Sequence, residues 1–368
     1  MAPGVRPAHH VSGRPRDTSA IDRHRPSAGS PAPVVTCVGT SPPMAPASFH
    51  FPPFAALLPS LEGRVVLVTG CTTGTGRVAA AACVRKGAHV VMLNRPSERA
   101  DRAENEVREA ASEKGNVTAV PCDLMDFASV RAAAKQIIDQ FPEGVDVLVC
   151  NAGVMALADK ATKDGYDVQM QTNHLSHFLL ASALFPLLEK AAEAHGEARI
   201  VSHSSIARTG PKLEAQYFGP NGGNLGGDGA SMLCGGARWV RYHQTKLANA
   251  VFTAELAARL EKRGSKVKAT VAAPGFAATN LQTTTQADKG MNEGWIMRFS
   301  QSAEDGAMPL IHASVGEGVK NGDFFVPDGC FEIKGRVVKK AFERNVTDAA
   351  SRALLWRESE KAVGAFAV

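Results

Sequence analysis

The chain has three tyrosines in 368 residues, so each can be checked for a basic partner one helical turn away. Tyr166 is followed four positions on by Met170, Tyr217 by Asn221 and Tyr242 by Lys246. Only the last pair has chemistry in it. On a helix, positions i and i+4 share a face, so the Lys246 ammonium can sit beside the Tyr242 phenol. At about 5 Å and an effective dielectric near 20 the Coulomb term is roughly 3 kcal/mol, about two pKa units. A shift of that size would bring a phenol into the range of a general acid or base.

A second group of residues suits phosphate. The run Thr69-Gly70-Cys71-Thr72-Thr73-Gly74-Thr75-Gly76-Arg77 follows a β-branched segment and opens an alanine-rich one. Glycines at 70, 74 and 76 let the backbone turn tightly against a pyrophosphate, and the helix that follows offers free N–H groups and its positive dipole end. The spacing differs from GxGxxG, but a strand-to-helix junction is where a dinucleotide loop belongs. The next apolar run ends in Leu93-Asn94-Arg95, where an NAD site would carry a carboxylate. Arg95, with Arg77, could pair with a 2′-phosphate, which favours NADP. Asp123 after the third run could accept from the adenine amino group, and Asn151-Ala152-Gly153 after the fourth could let the ribose pass. Both are also ordinary turn or cap residues.

Positioning these groups requires alternating strands and helices. Strands are expected at 65–69, 89–94, 117–121, 145–151, 199–204, 266–273 and 324–326. Helices are expected at 75–86, 97–114, 126–140, 165–195, 243–263, 303–315 and 346–363. Short apolar strands between long helices predict an α/β fold: a single doubly wound Rossmann domain over 59–368 with a seven-stranded parallel sheet. Ahead of it, the first 60 residues hold 12 of the 21 prolines, too little apolar material to offset chain entropy. Residues 1–58 therefore read as a disordered extension: a transit peptide, a tail without function, or sequence upstream of a start at Met44. That leaves the cytoplasm or an organelle, plastid or mitochondrion, as locations.

Net charge is +5, and most of the excess lies in that extension rather than on a folded face, so no nucleic-acid partner is expected. No run approaches the roughly 18 apolar residues of a membrane span. Seven scattered cysteines with no CxxC pair argue for free thiols in a reducing compartment. His174, His177, His203 and His243 are not spaced as a metal set, and no metal is expected.

Taken in order, Gly70, Gly74, Gly76, Asp123, Asn151-Ala152-Gly153, Asn173 within Thr172-Asn173-His174-Leu175-Ser176-His177-Phe178, Ser204-Ser205, Tyr242 with Lys246, and Pro274-Gly275 resemble the short-chain dehydrogenase/reductase family over about residues 60 to 365. Gln244-Thr245-Lys246-Leu247-Ala248-Asn249 and Leu355-Trp356-Arg357-Glu358-Ser359-Glu360 look like the branch holding retinol dehydrogenases, WW-domain oxidoreductase and protochlorophyllide reductase. The resemblance implies a carbonyl–alcohol oxidoreductase. Tyr242 would exchange the proton, and Lys246 would lower its pKa and bind the ribose. Ser205 would hold the substrate oxygen, with Ser202 and Ser204 as competitors, and Asn173 would position a water. Thr279 would bind the carboxamide. Asn94 stands where the branch has cysteine, and Ser176 where it has glycine.

Fold and catalytic set do not name a substrate. Residues 206–241 form a long insert with nine glycines, bearing Met232, Leu233 and Trp239. It reads either as a loose surface loop or as a mobile lid over a lipophilic substrate, with Arg238 and Arg241 expected to face solvent. The rival classes are an NADPH-binding regulator that works through partners and a light-driven pigment reductase. The oligomeric state is left open.

Overall fold

β-branched and leucine-rich runs with both faces covered form the sheet, as expected of buried parallel strands. In a computed structural model, which describes residues 46–231, 235–277, 285 and 300–368, the strands are β1 (Val65–Thr69), β2 (His89–Asn94), β3 (Asn116–Pro121), β4 (Val147–Cys150), β5 (Ala198–His203), β6 (Val267–Ala272), β7 (Phe324–Pro327) and β8 (Val337–Lys340). Their order is β3-β2-β1-β4-β5-β6-β7-β8. β1 to β7 are parallel, and β8 pairs antiparallel with β7, Val326 opposite Val338. The sheet therefore has eight strands rather than the expected seven. The missed strand is four residues long, half lysine and at the edge, so it carries little apolar signal.

Helices α2 (Gly74–Arg85), α3 (Glu98–Glu109) and α7 (Ala303–Val315) bury Ala80, Val84, Val107, Leu310 and Ile311 against one face. Helices α4 (Phe127–Gln140), α5 (Val168–His195), α6 (Ala237–Arg263) and α8 (Ala349–Val363) cover the other with Ile137, Phe178, Leu184, Leu256 and Trp356. α5 is long and apolar enough by composition to cross a bilayer, yet 72% of that window is buried inside the protein. The chain reverses direction across the sheet between β1 and β4, the switch point where doubly wound folds bind ligands at the strands' carboxyl ends.

The expected extension of residues 1–58 reaches too far. Residues 1–45 lie outside the described residues, but the last part is docked. Helix α1 (Phe51–Ala56) starts with Pro52 and Pro53 in its first turn and lays Phe51 and Phe54 on the α2/α7 core. The Asp305 carboxylate, in the first turn of α7, accepts from the Ser48 hydroxyl at 2.9 Å and from the Phe49, His50 and Phe51 amides at 3.0, 3.0 and 2.8 Å. Burial pushes this carboxyl up, but the four donors outweigh it and hold it below the usual range. The ionised form is therefore favoured in the folded state. Asp305 contributes stability above the unfolded carboxylate value near 3.9, and loses it as pH falls further through the lower folded value. Asp305→Ala should lower stability by about 2 kcal/mol at neutral pH, and its melting curve should converge on the wild-type curve in acid. A variant as stable as wild type at pH 7 would mean that the segment is held by the phenylalanines alone.

Candidate active site

β1 ends at Thr69, and the backbone turns at once through Gly70, with φ of +71°, and Gly74, with φ of +60°. Gly76 has a different reason to be glycine. A Cβ there would lie 2.3 Å from Asn151 Nδ2 and 2.4 Å from the Gly70 carbonyl. Thr73 is the N-cap of α2, but its side chain makes no capping bond, leaving the first-turn amides to an anion. Asn94 Oδ1 accepts from the Cys71 amide at 2.7 Å and so ties the loop to the end of β2. The residue that departs from the branch pattern thus has a structural task. So does Ser176, whose hydroxyl donates to the Leu124 carbonyl at 2.7 Å.

Asn151 is the cross-brace of this end of the sheet. Its Nδ2 donates to the Thr69 and Gly70 carbonyls at 2.8 and 3.1 Å, and its Oδ1 accepts from the Thr75 hydroxyl at 3.0 Å. His203 Nδ1 lies 3.0 Å from the same Oδ1. The Thr69 hydroxyl receives the Asn151 and Ala152 amides, both at 3.0 Å, and meets His177 Nε2 at 2.9 Å. Asp123 Oδ1 closes its own turn onto the Met125 amide at 2.9 Å. Arg95 is exposed, its guanidinium 3.9 Å from Met125 Sδ. Arg77 is half-buried, in an ion pair with Glu106.

Within α5 the helix widens to a π turn over Gln171–Leu175, which displaces Asn173 from the regular spiral. Asn173 is fully buried. It accepts from the Val154 amide at 2.7 Å and donates to the Val154 carbonyl and the Thr245 hydroxyl at 2.8 and 2.9 Å. A Cβ on Gly153 would meet Asn173 Oδ1 at 3.1 Å and Lys246 Nζ at 3.5 Å, so these two groups and Gly153 share one small space.

α6 carries Tyr242 and Lys246 on the face turned to that space, with Nζ 5.8 Å from the phenol ring centre. Lys246 Nζ donates to the His203 carbonyl at 3.1 Å. Ser205 stands beside the Tyr242 phenol and favours its ionised form, and its hydroxyl accepts from the Ala207 amide at 3.2 Å, whereas Ser204 donates to the Lys246 carbonyl at 2.7 Å and so braces α6. Ser202 lies inside β5, so Ser205 is the serine that reaches the phenol. The sign of the tyrosine shift is the reverse of the sequence expectation. Burial pushes the phenol up to about 12, with Ser205 opposing, and burial brings the Lys246 ammonium down to about 8. The Coulomb estimate omitted desolvation, which dominates for two groups this deeply enclosed.

The described residues of the insert are tied down, and its arginines do not face solvent. Arg241 is 1% exposed. It donates to the Leu225, Gly227 and Leu157 carbonyls at 3.0, 2.9 and 3.2 Å and lies 3.6 Å from Asp159 and 3.4 Å from Asp167. Asp159 in turn accepts from the Leu225 and Gly227 amides at 2.7 and 2.9 Å. Arg238, also buried, donates to the Asp228 carbonyl at 3.1 Å, and the Trp239 indole to the Ala230 carbonyl at 3.0 Å. Trp239 meets the Tyr242 ring edge-on at 6.0 Å, and Met155, Ala156 and Ala207 complete an apolar wall. Pro274 and Gly275 follow β6, Gly275 with φ of +70°. Thr279, Met232 and Leu233 lie outside the described residues.

The sequence profile of short chain dehydrogenase matches residues 64–217. Retinol dehydrogenase 13 of Homo sapiens is 30% identical over 314 residues, 83% of this chain and 86% of that protein. The chain belongs to the short-chain dehydrogenase/reductase family. Retinol dehydrogenase 14 of Homo sapiens is 36% identical over 235 residues, 60% of this chain and 64% of that protein. Against the first relatives of this kind, then, the chain spans about three fifths of their length. A solved structure from Mycobacterium paratuberculosis has 31% identity and a TM-score of 0.66, covering 85% of this chain and 98% of that one. The family is one of oxidoreductases that bind NAD or NADP.

In this member of the family, several side chains around the pair had been given no site role from sequence. Asn249 donates to the His203 carbonyl at 3.0 Å and faces His174 Nδ1 at 3.3 Å; His174 Nε2 meets the Ser359 hydroxyl of α8 at 2.9 Å. The C-terminal motif thus reaches the π turn. Asn249 lies seven residues after Tyr242 on α6, so helical spacing could have placed it near that face; Ser359 belongs to the C-terminal motif, but no spacing tied that motif to the pair.

Proposed function

We propose that the protein is an NADP(H)-dependent oxidoreductase that interconverts a carbonyl and an alcohol on a lipophilic small-molecule substrate. The observation that carries this is the Tyr242 phenol, enclosed, beside Ser205 and one helical turn from Lys246, at the carboxyl end of the sheet beside the glycine loop. The first-turn amides of α2, with Gly70, Thr73, Gly74 and Gly76, would hold the pyrophosphate. Arg95 and Arg77 would hold the 2′-phosphate, Asp123 the adenine, and Asn151, Ala152 and Gly153 the ribose edge. Pro274, Gly275 and Thr279 would line the nicotinamide side. The bound dinucleotide supplies or takes up the hydride.

The chain's own residues handle the proton and the oxygen. Ser205 and Tyr242 donate hydrogen bonds to the substrate oxygen where negative charge develops. A phenol held near 12 is neutral at physiological pH and stands ready as a proton donor, which suits reduction of a carbonyl. Lys246 and Asn173 adjoin Gly153, the place from which a proton could be returned to the phenol. The apolar wall of Met155, Ala156, Ala207 and Trp239 excludes water and fits an uncharged substrate. Arg238 and Arg241 are turned onto backbone carbonyls and carboxylates, so they offer no anion site.

Arg95→Asp should weaken NADPH binding at least tenfold, about 1.4 kcal/mol, and leave NADH binding unweakened or tighter, because a carboxylate there can accept from the 2′-hydroxyl. Fluorescence titration with both cofactors measures this. Equal affinity of the wild type for NADPH and NADH would end the NADP assignment.

A further inference from the structure

Arg208 has no part in the chemistry proposed above, yet its side chain is 0% exposed. It closes the short 3-10 turn Ile206–Arg208 that follows Ser205. Its amide and its Nη1 both donate to the Ser205 carbonyl, at 3.0 and 2.9 Å. The rest of the guanidinium reaches the chain after β7. Nη2 reaches both oxygens of Glu332, at 3.0 and 2.9 Å, and Glu343 Oε1 at 2.6 Å, while Nε reaches Glu343 Oε2 at 3.1 Å. The plane of the group lies over Phe324, 4.4 Å from the ring centre. Lys340 pairs with both carboxylates, so two positive and two negative charges balance.

Glu332 is no ordinary partner. It and Phe331 hold φ of +58° and +53°, a region non-glycine residues occupy at a cost. The strained segment presses on Gly275. A Cβ there would lie 2.3 Å from the Ile333 carbonyl and 2.7 Å from the Glu332 carbonyl, and the Phe276 amide donates to the Ile333 carbonyl at 2.8 Å.

We propose that Arg208 is a positioning residue that couples the Ser205 turn to the Pro274-Gly275 loop through Glu332, fixing the hydroxyl that holds the substrate oxygen relative to the wall that holds the cofactor. This rests on the roles given above to Ser205 and Tyr242. A lysine could supply the charge. It could not supply a planar fork that meets one carbonyl and two carboxylates at once.

The test compares Arg208→Lys and Glu332→Gln with Ser205→Ala and Tyr242→Phe in the full chain. With only three tyrosines, the 13Cζ resonance of Tyr242 can be assigned and followed at neutral pH without turnover. In both coupling variants it should move toward its position in Ser205→Ala, and the NADPH dissociation constant should rise about threefold. Carbonyl turnover should fall at least about tenfold in kcat with KM nearly unchanged. A merely structural role would lower the melting temperature and leave resonance, NADPH affinity and kcat per cofactor site as in wild type, and that result overturns the coupling. Glu332→Gln keeps the Glu343 pair and covers the case in which Arg208→Lys does not fold. If Ser205→Ala and Tyr242→Phe turn over like wild type, the reading of the site fails instead, while resonance and NADPH affinity still decide the coupling.

Discussion

Tyr242→Phe should lower carbonyl turnover by about a thousandfold while NADPH binds as it does to wild type within about threefold. The change removes one hydroxyl from a fully enclosed ring and leaves Trp239, Met155 and Ala156 packed around it. Lys246 keeps its bond to the His203 carbonyl, so the residue proposed to meet the ribose stays in place. What goes is the proton donor beside Ser205. Stopped-flow oxidation of NADPH at a saturating lipophilic carbonyl, beside fluorescence titration of the cofactor, separates the two effects. Retention of more than about a tenth of the turnover would remove Tyr242 from the proton-transfer step.

A second large effect is expected from Arg241→Met. Asp159 and Asp167 side chains are 5% and 1% exposed, and Arg241 is the cation between them. Removing one member of such a cluster strands buried charge and costs about 3–5 kcal/mol, a fall of roughly 10 °C in melting temperature. The variant should also be cleaved by protease between residues 219 and 231, since three carbonyl bonds that hold the insert go with the guanidinium. The pH dependence has a definite sign. Burial raises the Asp167 carboxyl to about 6, with its capping of the Gln169 and Met170 amides and the Arg241 charge opposing. A folded value above the unfolded one means that the folded state binds the proton more tightly. The contribution of Asp167 to stability is therefore largest below pH 4 and falls away as pH rises through 6. Without Arg241 that slope should steepen, so mild acid should restore part of the lost stability. Equal melting of variant and wild type at pH 7 would show that the insert is held by its backbone alone.

What could be read from sequence was what is local. The glycine loop, the Tyr242–Lys246 spacing, the parallel strands and the Asn151-Ala152-Gly153 turn are each set within a few residues, and short-range geometry determines them. The Arg241 cluster could not be read in the same way, because Asp159 and Asp167 lie 82 and 74 residues before it and no periodicity announces an ion pair that closes across the fold. Counting glycines in the insert suggested looseness; the two carboxylates and one guanidinium that order it are outside that count. The docked end of the N-terminal segment depends on one acceptor, Asp305, more than 250 residues away. The tyrosine shift failed for a different reason. Its sign depends on how completely the phenol is taken from water, and spacing along a helix says nothing about that.

The bond between His174 and Ser359 joins residues 185 apart in the chain. The π turn that carries Asn173 is thus shored up by a helix made long after it, which also brings Trp356 onto Phe178 and Phe252. During translation the aromatic face of α5 has to wait, uncovered, until α8 has been made. A chain stopped before α8 would present that face to the chaperone machinery, with the glycine loop and Tyr242 both present in its sequence. Long-range closure of this kind is slow relative to local helix formation. Acquisition of activity on refolding should therefore follow burial of Trp356 rather than the appearance of helix.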